Sequence, residues 1–174
     1  MEGYEAVVFD LDGTLVSLDV DWEETRGEVA SKLRARSVNV EDATLWDLLE
    51  RGEDEGFEML VERTIANHER EGARTSSRLP TADTLPVGRP TGVCSLNCEA
   101  ACRIALEIHG LDDYVDAIVG RDSLETRKPD PEPLLHTIRS LGATPEQTVF
   151  VGDSERDART ADRAGVDFRY VDHR

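Results

Sequence analysis

Lysine is nearly absent from this chain of 174 residues: Lys32 and Lys128 are the only two, and the other basic residues are arginines. Aromatic side chains are also scarce, at 5%. Positive charge is outnumbered, with 20 Lys and Arg against 37 Asp and Glu and a formal net charge of −17. That balance excludes a nucleic-acid partner, because a phosphate backbone is bound by a basic face. It also makes the chain repel itself in dilute buffer, a repulsion that salt screens, and so points to a saline source. No apolar run approaches the roughly 20 residues that span a bilayer, so no membrane partner is expected. Nor does a basic segment followed by an apolar one mark a secretory signal, and a cytoplasmic protein is the expectation. The cysteines are Cys94, Cys98 and Cys102. Zinc sites pair neighbouring cysteines with a second, distant pair. This chain has no such pair, so the three are expected to be small buried side chains.

What the chain does have is a regular alternation. Its length suits one domain, or one domain with an insert, and its apolar fraction of 39% is enough for a core. Residues 4–9 form a short, continuous apolar run, the pattern of a buried strand. Gly13-Thr14 breaks it. Residues 22–36, 42–51 and 55–71 read as helices, the last with Phe57, Leu60, Val61 and Ile65 at helical spacing. Trp22 and Trp46 are expected in the core. Residues 72–90, rich in Pro, Ser, Thr and Gly, read as a loop or hinge. Strands at 92–96, 115–119, 148–151 and 167–171 then alternate with helices at 98–109, 131–141 and 155–164. This order implies an α/β fold with a parallel sheet covered on both faces. The helices between Leu15 and Gly72 interrupt that order as an inserted cap.

Ligands of such sheets bind beyond the carboxyl ends of the strands. Asp10 and Asp12 lie at one such end and, two apart on an extended strand, address one face. Ser95 and Asn97 follow a second strand, although Asn97 also suits a helix cap. Asp153 follows a third strand, with Asp157 one helical turn on. A single carboxylate at the start of a helix reads as a cap; four aimed at one sheet edge suit a hard cation such as Mg²⁺. Four such negative charges would repel a phosphate dianion unless a cation and an ammonium offset them. Lys128 beside Pro129 is the available ammonium, the compact point charge among basic side chains.

The segments "DLDGT", the Ser after the second strand, "KPDPEP" and "GDSERDARTADRAG" resemble, in order and spacing, the haloacid dehalogenase superfamily and its phosphoglycolate-phosphatase-like branch. The resemblance covers a little over half the chain. It implies a three-layer α/β/α, Rossmann-like core of five parallel strands with the first in the middle. Residues 1–16 and 86–174 would be core, and 17–85 a small helical cap and hinge. It implies Asp10 as nucleophile and Asp12 as general acid/base. It implies Mg²⁺ held by Asp10, Asp12 (through its backbone carbonyl) and Asp153. Ser95 and Lys128, with Gly13, Thr14 and Asn97, would hold the phosphoryl group, and Asp157 would support the metal or orient Lys128. Members of this branch carry a helix just before the second motif; residues 74–91 show none. The expected activity is Mg²⁺-dependent hydrolysis of a small phosphorylated metabolite by a monomer or homodimer. A phosphomutase, a phosphotransferase or a non-catalytic binding protein of the same fold are the rival readings. A halide leaving group needs neither Mg²⁺ nor an acid, which favours phosphatase over dehalogenase.

Overall fold

The computed structural model describes residues 3–171; the first two and last three residues of the expected core lie outside the described residues. In chain order the elements are β1 (Ala6–Phe9), β2 (Val16–Ser17), α1 (Trp22–Arg34), α2 (Leu45–Asp54), α3 (Glu58–Arg74), β3 (Ser77–Arg78), β4 (Thr91–Cys94), α4 (Glu99–Ile108), β5 (Ala117–Val119), α5 (Glu132–Ser140), β6 (Thr148–Gly152), α6 (Glu155–Ala164) and β7 (Asp167–Tyr170). The main sheet has the order β5-β4-β1-β6-β7, with every pair parallel. All four residues of β1 are buried, as its unbroken apolar run requires of a central strand.

Alternation along β1 divides the core into two layers. Val7 and Phe9 pack with Val93, Val149 and Val151 against Cys102, Ala105 and Leu106 of α4. Val8 packs with Cys94 and Phe150 against Leu134 and Ile138 of α5 and Ala161 of α6. The sheet is thus covered on both faces, a three-layer α/β/α arrangement. A separate apolar cluster joins α1, α2 and the first half of α3 through Val29, Leu33, Leu48, Leu49, Val61 and Ile65. α3 belongs to both clusters, because Ala66 and Ala73 from its second half lie in the main core. Leu18, Ala82 and Leu85, within residues 17–85, lie there too. The three cysteines are free and buried. Cys94 faces one layer and Cys98 and Cys102 the other, so they do not converge on one ion.

Several boundaries differ from those expected, each for a local reason. α2 starts at Leu45 rather than at 42 because Thr44 is its cap. The Thr44 hydroxyl accepts from the Asp47 N–H at 3.2 Å, and the Asp47 carboxylate accepts from the Thr44 N–H at 2.8 Å, a reciprocal cap. Asp42 has φ of 49°, outside the helical region. The segment at 72–90 is not shapeless. β3 pairs antiparallel with β2, and a 3₁₀ turn over Pro80–Thr84 buries Ala82. Beyond the end of α3 at Arg74, this short ordered connection has no α-helix and leads directly into β4.

Gly72 does not end its helix. A Cβ there would lie 2.5 Å from Val20 Cγ2 and 2.7 Å from the Asp19 carbonyl oxygen, and the Asp19 N–H donates to the Gly72 carbonyl at 3.1 Å. Glycine is present so that α3 can press against the segment leading to α1. Gly72→Ala is therefore expected to destabilise the fold by about 1–3 kcal/mol through overpacking. Gly27→Ala on α1, where nothing lies within 4 Å of the added Cβ, should stabilise by about 0.5–1 kcal/mol. Urea unfolding of both variants checks the pair; effects of the same sign would contradict this packing.

Candidate active site

Asp10 follows β1 directly, and its N–H donates to the Val151 carbonyl at 2.8 Å. The chain then turns sharply, with the Gly13 N–H donating to the Val16 carbonyl at 2.8 Å. Gly13 has φ of 85°, a left-handed conformation suited to glycine. A Cβ on it would fall 2.2 Å from Asp153 Oδ2, so the turn passes hard against the Asp153 carboxylate. The turn also aims Asp12: its Oδ1 accepts from the Leu18 N–H at 2.8 Å.

Lys128 binds the strand ends together. Its Nζ donates to Asp10 Oδ1 at 2.7 Å, Asp157 Oδ1 at 2.5 Å and the Cys94 carbonyl at 3.0 Å. All three side chains are buried, Lys128 at 4% exposure, Asp10 at 6% and Asp157 at 1%. Burial pushes the Asp10 carboxyl up to about 7, and the Asp157 charge adds to this against the pull of Lys128. Burial opposes the Lys128 ammonium, but the Asp10 and Asp157 charges outweigh it and hold its pKa above the ordinary value. An Nζ set between two carboxylates at these distances is an ammonium, and the ionised arrangement is the one the geometry supports. Asp157 is held in turn by its helix: its Oδ2 accepts from the Ser154 hydroxyl at 2.6 Å, and the Ser154 hydroxyl accepts from the Asp157 N–H at 3.2 Å. Ser154, not Asp153, is the helix cap.

One carboxylate oxygen each from Asp10, Asp153 and Asp157 lies within 4.8 Å of the others. An all-oxygen set of this kind suits a hard divalent cation. Asp153 is exposed, whereas Asp10 and Asp157 are buried, so an ion could enter from the solvent side. The Asp12 carboxylate is not in this set, being turned to Leu18. Burial raises its pKa; the Leu18 N–H opposes this, and the Asp153 and Glu69 charges add to it.

Asp10, Asp12, Ser95, Asn97, Lys128, Asp153 and Asp157 all line one cavity of about 340 Å³. Gly13 and Thr14 do not line it; Thr14 is fully buried, and its hydroxyl has no hydrogen-bond partner. The Ser95 hydroxyl donates to Asn97 Oδ1 at 3.0 Å and accepts from the Asn97 N–H at 3.1 Å. This turn rests on a buried pair that the sequence reading passed over. Glu69 of α3 accepts from Asn97 Nδ2 at 3.3 Å and from the Cys98 N–H at 3.0 Å. Arg121, just past β5, donates to Glu69 at 2.6 Å and 3.1 Å, to Glu62 at 2.9 Å and to the Leu96 carbonyl at 2.7 Å. The signal for Glu69 was present in the sequence: it falls every fourth residue with Val61, Ile65 and Ala73, a carboxylate on an apolar stripe. Trp22 is not a core residue, and Trp46 packs against the cluster of α1, α2 and α3 at its edge. Both line the cavity, and Trp22 is 38% exposed.

Residues 86–171 match the family of haloacid dehalogenase-like hydrolases. A phosphoglycolate phosphatase of Cereibacter sphaeroides is 34% identical over 181 aligned positions, covering 93% of this chain and 82% of that protein. The chain belongs to the haloacid dehalogenase-like hydrolases. Pyrophosphatase PpaX of Halalkalibacterium halodurans is also similar, at 29% identity with 92% and 80% covered. The fold is shared with a crystal structure of a protein described as a phosphoglycolate phosphatase from Lactobacillus plantarum. Its TM-score is 0.67 and its identity 23%, with 96% of this chain and 86% of that one covered. This hydrolase is a phosphatase of the phosphoglycolate-phosphatase-like group, as its relatives show. Among the described residues, no helix is long and apolar enough to cross a membrane.

Removing the ammonium tests the centre of the site. Lys128→Met leaves two buried carboxylates without their cation, which is expected to destabilise by about 3–5 kcal/mol at neutral pH. The pKa of Asp10 is already raised by folding, and loss of Lys128 raises it further. A raised carboxyl favours the folded state below its unfolded pKa, and that advantage is lost as pH rises through the folded value. The deficit of the variant relative to the parent should therefore be smallest and level below about pH 7, the parent's Asp10 value, and grow as pH rises above it. Denaturant unfolding across this range measures it; a deficit that grew on acidification would contradict the assignment.

Proposed function

We propose that this phosphatase hydrolyses small phosphomonoesters with Mg²⁺ and through a phosphoryl group carried on Asp10. The observation that supports this most is the Asp10 carboxylate at the floor of the cavity, within reach of both the Lys128 ammonium and the Asp153 carboxylate. A divalent cation held by Asp10, Asp153 and the Asp12 carbonyl would neutralise charge between the carboxylate and an incoming phosphate. The remaining work falls to the side chains. An Asp10 oxygen attacks phosphorus, a P–O bond to Asp10 forms and the bond to the alcohol oxygen breaks. Asp12 gives its proton to the departing alkoxide; its raised pKa is the direction an acid requires. Asp12 then takes a proton from water, which attacks phosphorus, releases phosphate and restores Asp10. Lys128 and Ser95 hold the phosphoryl oxygens. Asp157 and the Asn97 turn keep those two groups in place. Helices α1 and α2 act as a cap over the cavity, keeping out all but the reacting water.

Two measurements test this reading. Asp10→Asn should lower turnover of an aryl phosphate by about 10³-fold or more, and chelation of divalent ions should abolish activity until Mg²⁺ is returned. Full activity in Asp10→Asn would overturn the mechanism. Interconversion of sugar-phosphate isomers without release of free phosphate would point instead to a mutase.

We also read the net charge of −17 as an adaptation to salt. Thermal unfolding should move to higher temperature as KCl is raised from dilute to molar, because screening relieves repulsion among like charges. A midpoint that fell over that range would remove the argument.

A further inference from the structure

One wall of the cavity is not used by the chemistry above. It is formed by Trp46 from α2 and Arg156 from α6, with the guanidinium carbon 4.8 Å from the centre of the indole ring. Both residues line the cavity that holds Asp10, Ser95 and Lys128, and Trp22 lies beside them. Arg156 and Trp46 also line an adjoining groove of about 400 Å³ that Lys128 shares.

The charges on this wall are arranged unevenly. The cavity is lined by Asp10, Asp12, Glu69, Asp153 and Asp157, against two cations, Lys128 and Arg156. Glu69 is matched by Arg121. Lys128 is committed to Asp10 and Asp157. Arg156 takes part in no ion pair among the described residues; on the same helix it is Arg159 that pairs with Glu155. A guanidinium stacked on an indole keeps its N–H edge available, and that edge matches a carboxylate or a phosphate with two parallel bonds. Its guanidinium stands on the indole of Trp46 rather than on Asp10 or Asp157, the acids that Lys128 holds.

A divalent ion and Lys128 together offset three of the four negative charges of Asp10, Asp12, Asp153 and Asp157, so this end of the cavity stays negative before a phosphate dianion enters. A substrate with a second negative group would be repelled unless a further positive charge received it. Arg156 is that charge. Its place on α6, stacked on Trp46 of α2, sets it in the cavity wall that also contains Trp22.

We propose that Arg156, backed by Trp46, binds a second anionic group on the leaving alcohol, so that the preferred esters carry a carboxylate or a further phosphate. This rests on the phosphomonoesterase reading above. The test is steady-state kinetics in Mg²⁺ on two matched pairs. The first is ethyl phosphate with phosphoglycolate, which differ by a carboxylate. The second is the monophosphate of 1,3-propanediol with its bisphosphate, which differ by a phosphate. The parent protein should favour the anionic member of at least one pair by about tenfold or more in kcat/KM, and the pair so favoured tells carboxylate from phosphate. Arg156→Leu should lower that selectivity ratio by about 10- to 100-fold, the loss expected for a hydrogen-bonded charge, chiefly through KM. Arg156→Lys, which keeps the charge but not the paired donors, should fall between, and thermal unfolding of each variant confirms that it is folded. If the selectivity ratios of both variants stay within about threefold of the parent's, or the parent favours neither anionic ester, the proposal is overturned while the phosphomonoesterase reading stands. If the parent hydrolyses none of the four esters, that reading fails and this proposal falls with it.

Discussion

The Lys128 ammonium is the point on which this structure turns. An ammonium has three protons to donate, and here each has an acceptor: Asp10, Asp157 and the Cys94 carbonyl. Burying a charge is tolerated only when it is paired and hydrogen-bonded, and these three acceptors meet that condition. They come from the end of β1, the end of β4 and the first turn of α6. Only a sheet that sets β1 between β4 and β6 can supply all three at once, and that is the observed order. The parallel arrangement does more than bury apolar surface. It is the condition under which one lysine can hold two carboxylates at the wall of the cavity.

The fixed geometry around Lys128 also explains the glycines nearby. Gly152 precedes the loop to α6, and a Cβ on it would lie 2.8 Å from the Asp157 side chain. Gly13 lets the Asp12 turn pass against Asp153. Both remove a side chain where two acid-bearing segments approach each other. A chain with three carboxylates this close relies on backbone placement to hold them together, because their mutual repulsion acts to separate them.

How much of this could be seen in the sequence depended on whether a signal was local. The strands could be read because a central parallel strand is apolar on both faces, and "AVVF" is. Asp10, Asp12, Ser95, Lys128, Asp153 and Asp157 could be gathered because strand ends in such a sheet lie on one edge, and the structure brings all six to one cavity. The failures were of two kinds. Gly72 was placed in a loop by the composition of the segment it opens, and the two tryptophans in the core by residue type, whereas a close backbone approach and a cavity wall determine them. Both depend on what faces the residue across the fold. Glu69 and Arg121 failed differently: Glu69 was legible as a carboxylate on the apolar stripe of α3, but Arg121 looks like an ordinary surface charge until α3 is laid against the loop after β5. The segment before β4 looked irregular because its ordering comes from Leu15, whose carbonyl accepts from the Leu79 N–H at 3.0 Å, and from β2, far away in sequence.

The helices over the cavity are attached to the core by two kinds of contact, and these differ in what parting them costs. On the α3 side, Glu69 and Arg121 are 1% and 3% exposed. Separating them would strand two buried charges, at a cost of about 3–5 kcal/mol, and would also release the Asn97 turn. On the α2 side the links are the half-buried Glu53–Arg127 ion pair and the stacking of Arg156 on Trp46. Contacts of that exposure contribute on the order of 1 kcal/mol or less each. The second half of α3 is moreover part of the main core, while α1 and α2 are joined mainly to each other and to its first half. The edge that parts most easily is therefore the α2 edge, where Trp46 stands at the cavity wall. The Glu69 side stays with the sheet, so the groups that would meet the phosphoryl oxygens keep their positions whichever way α2 stands.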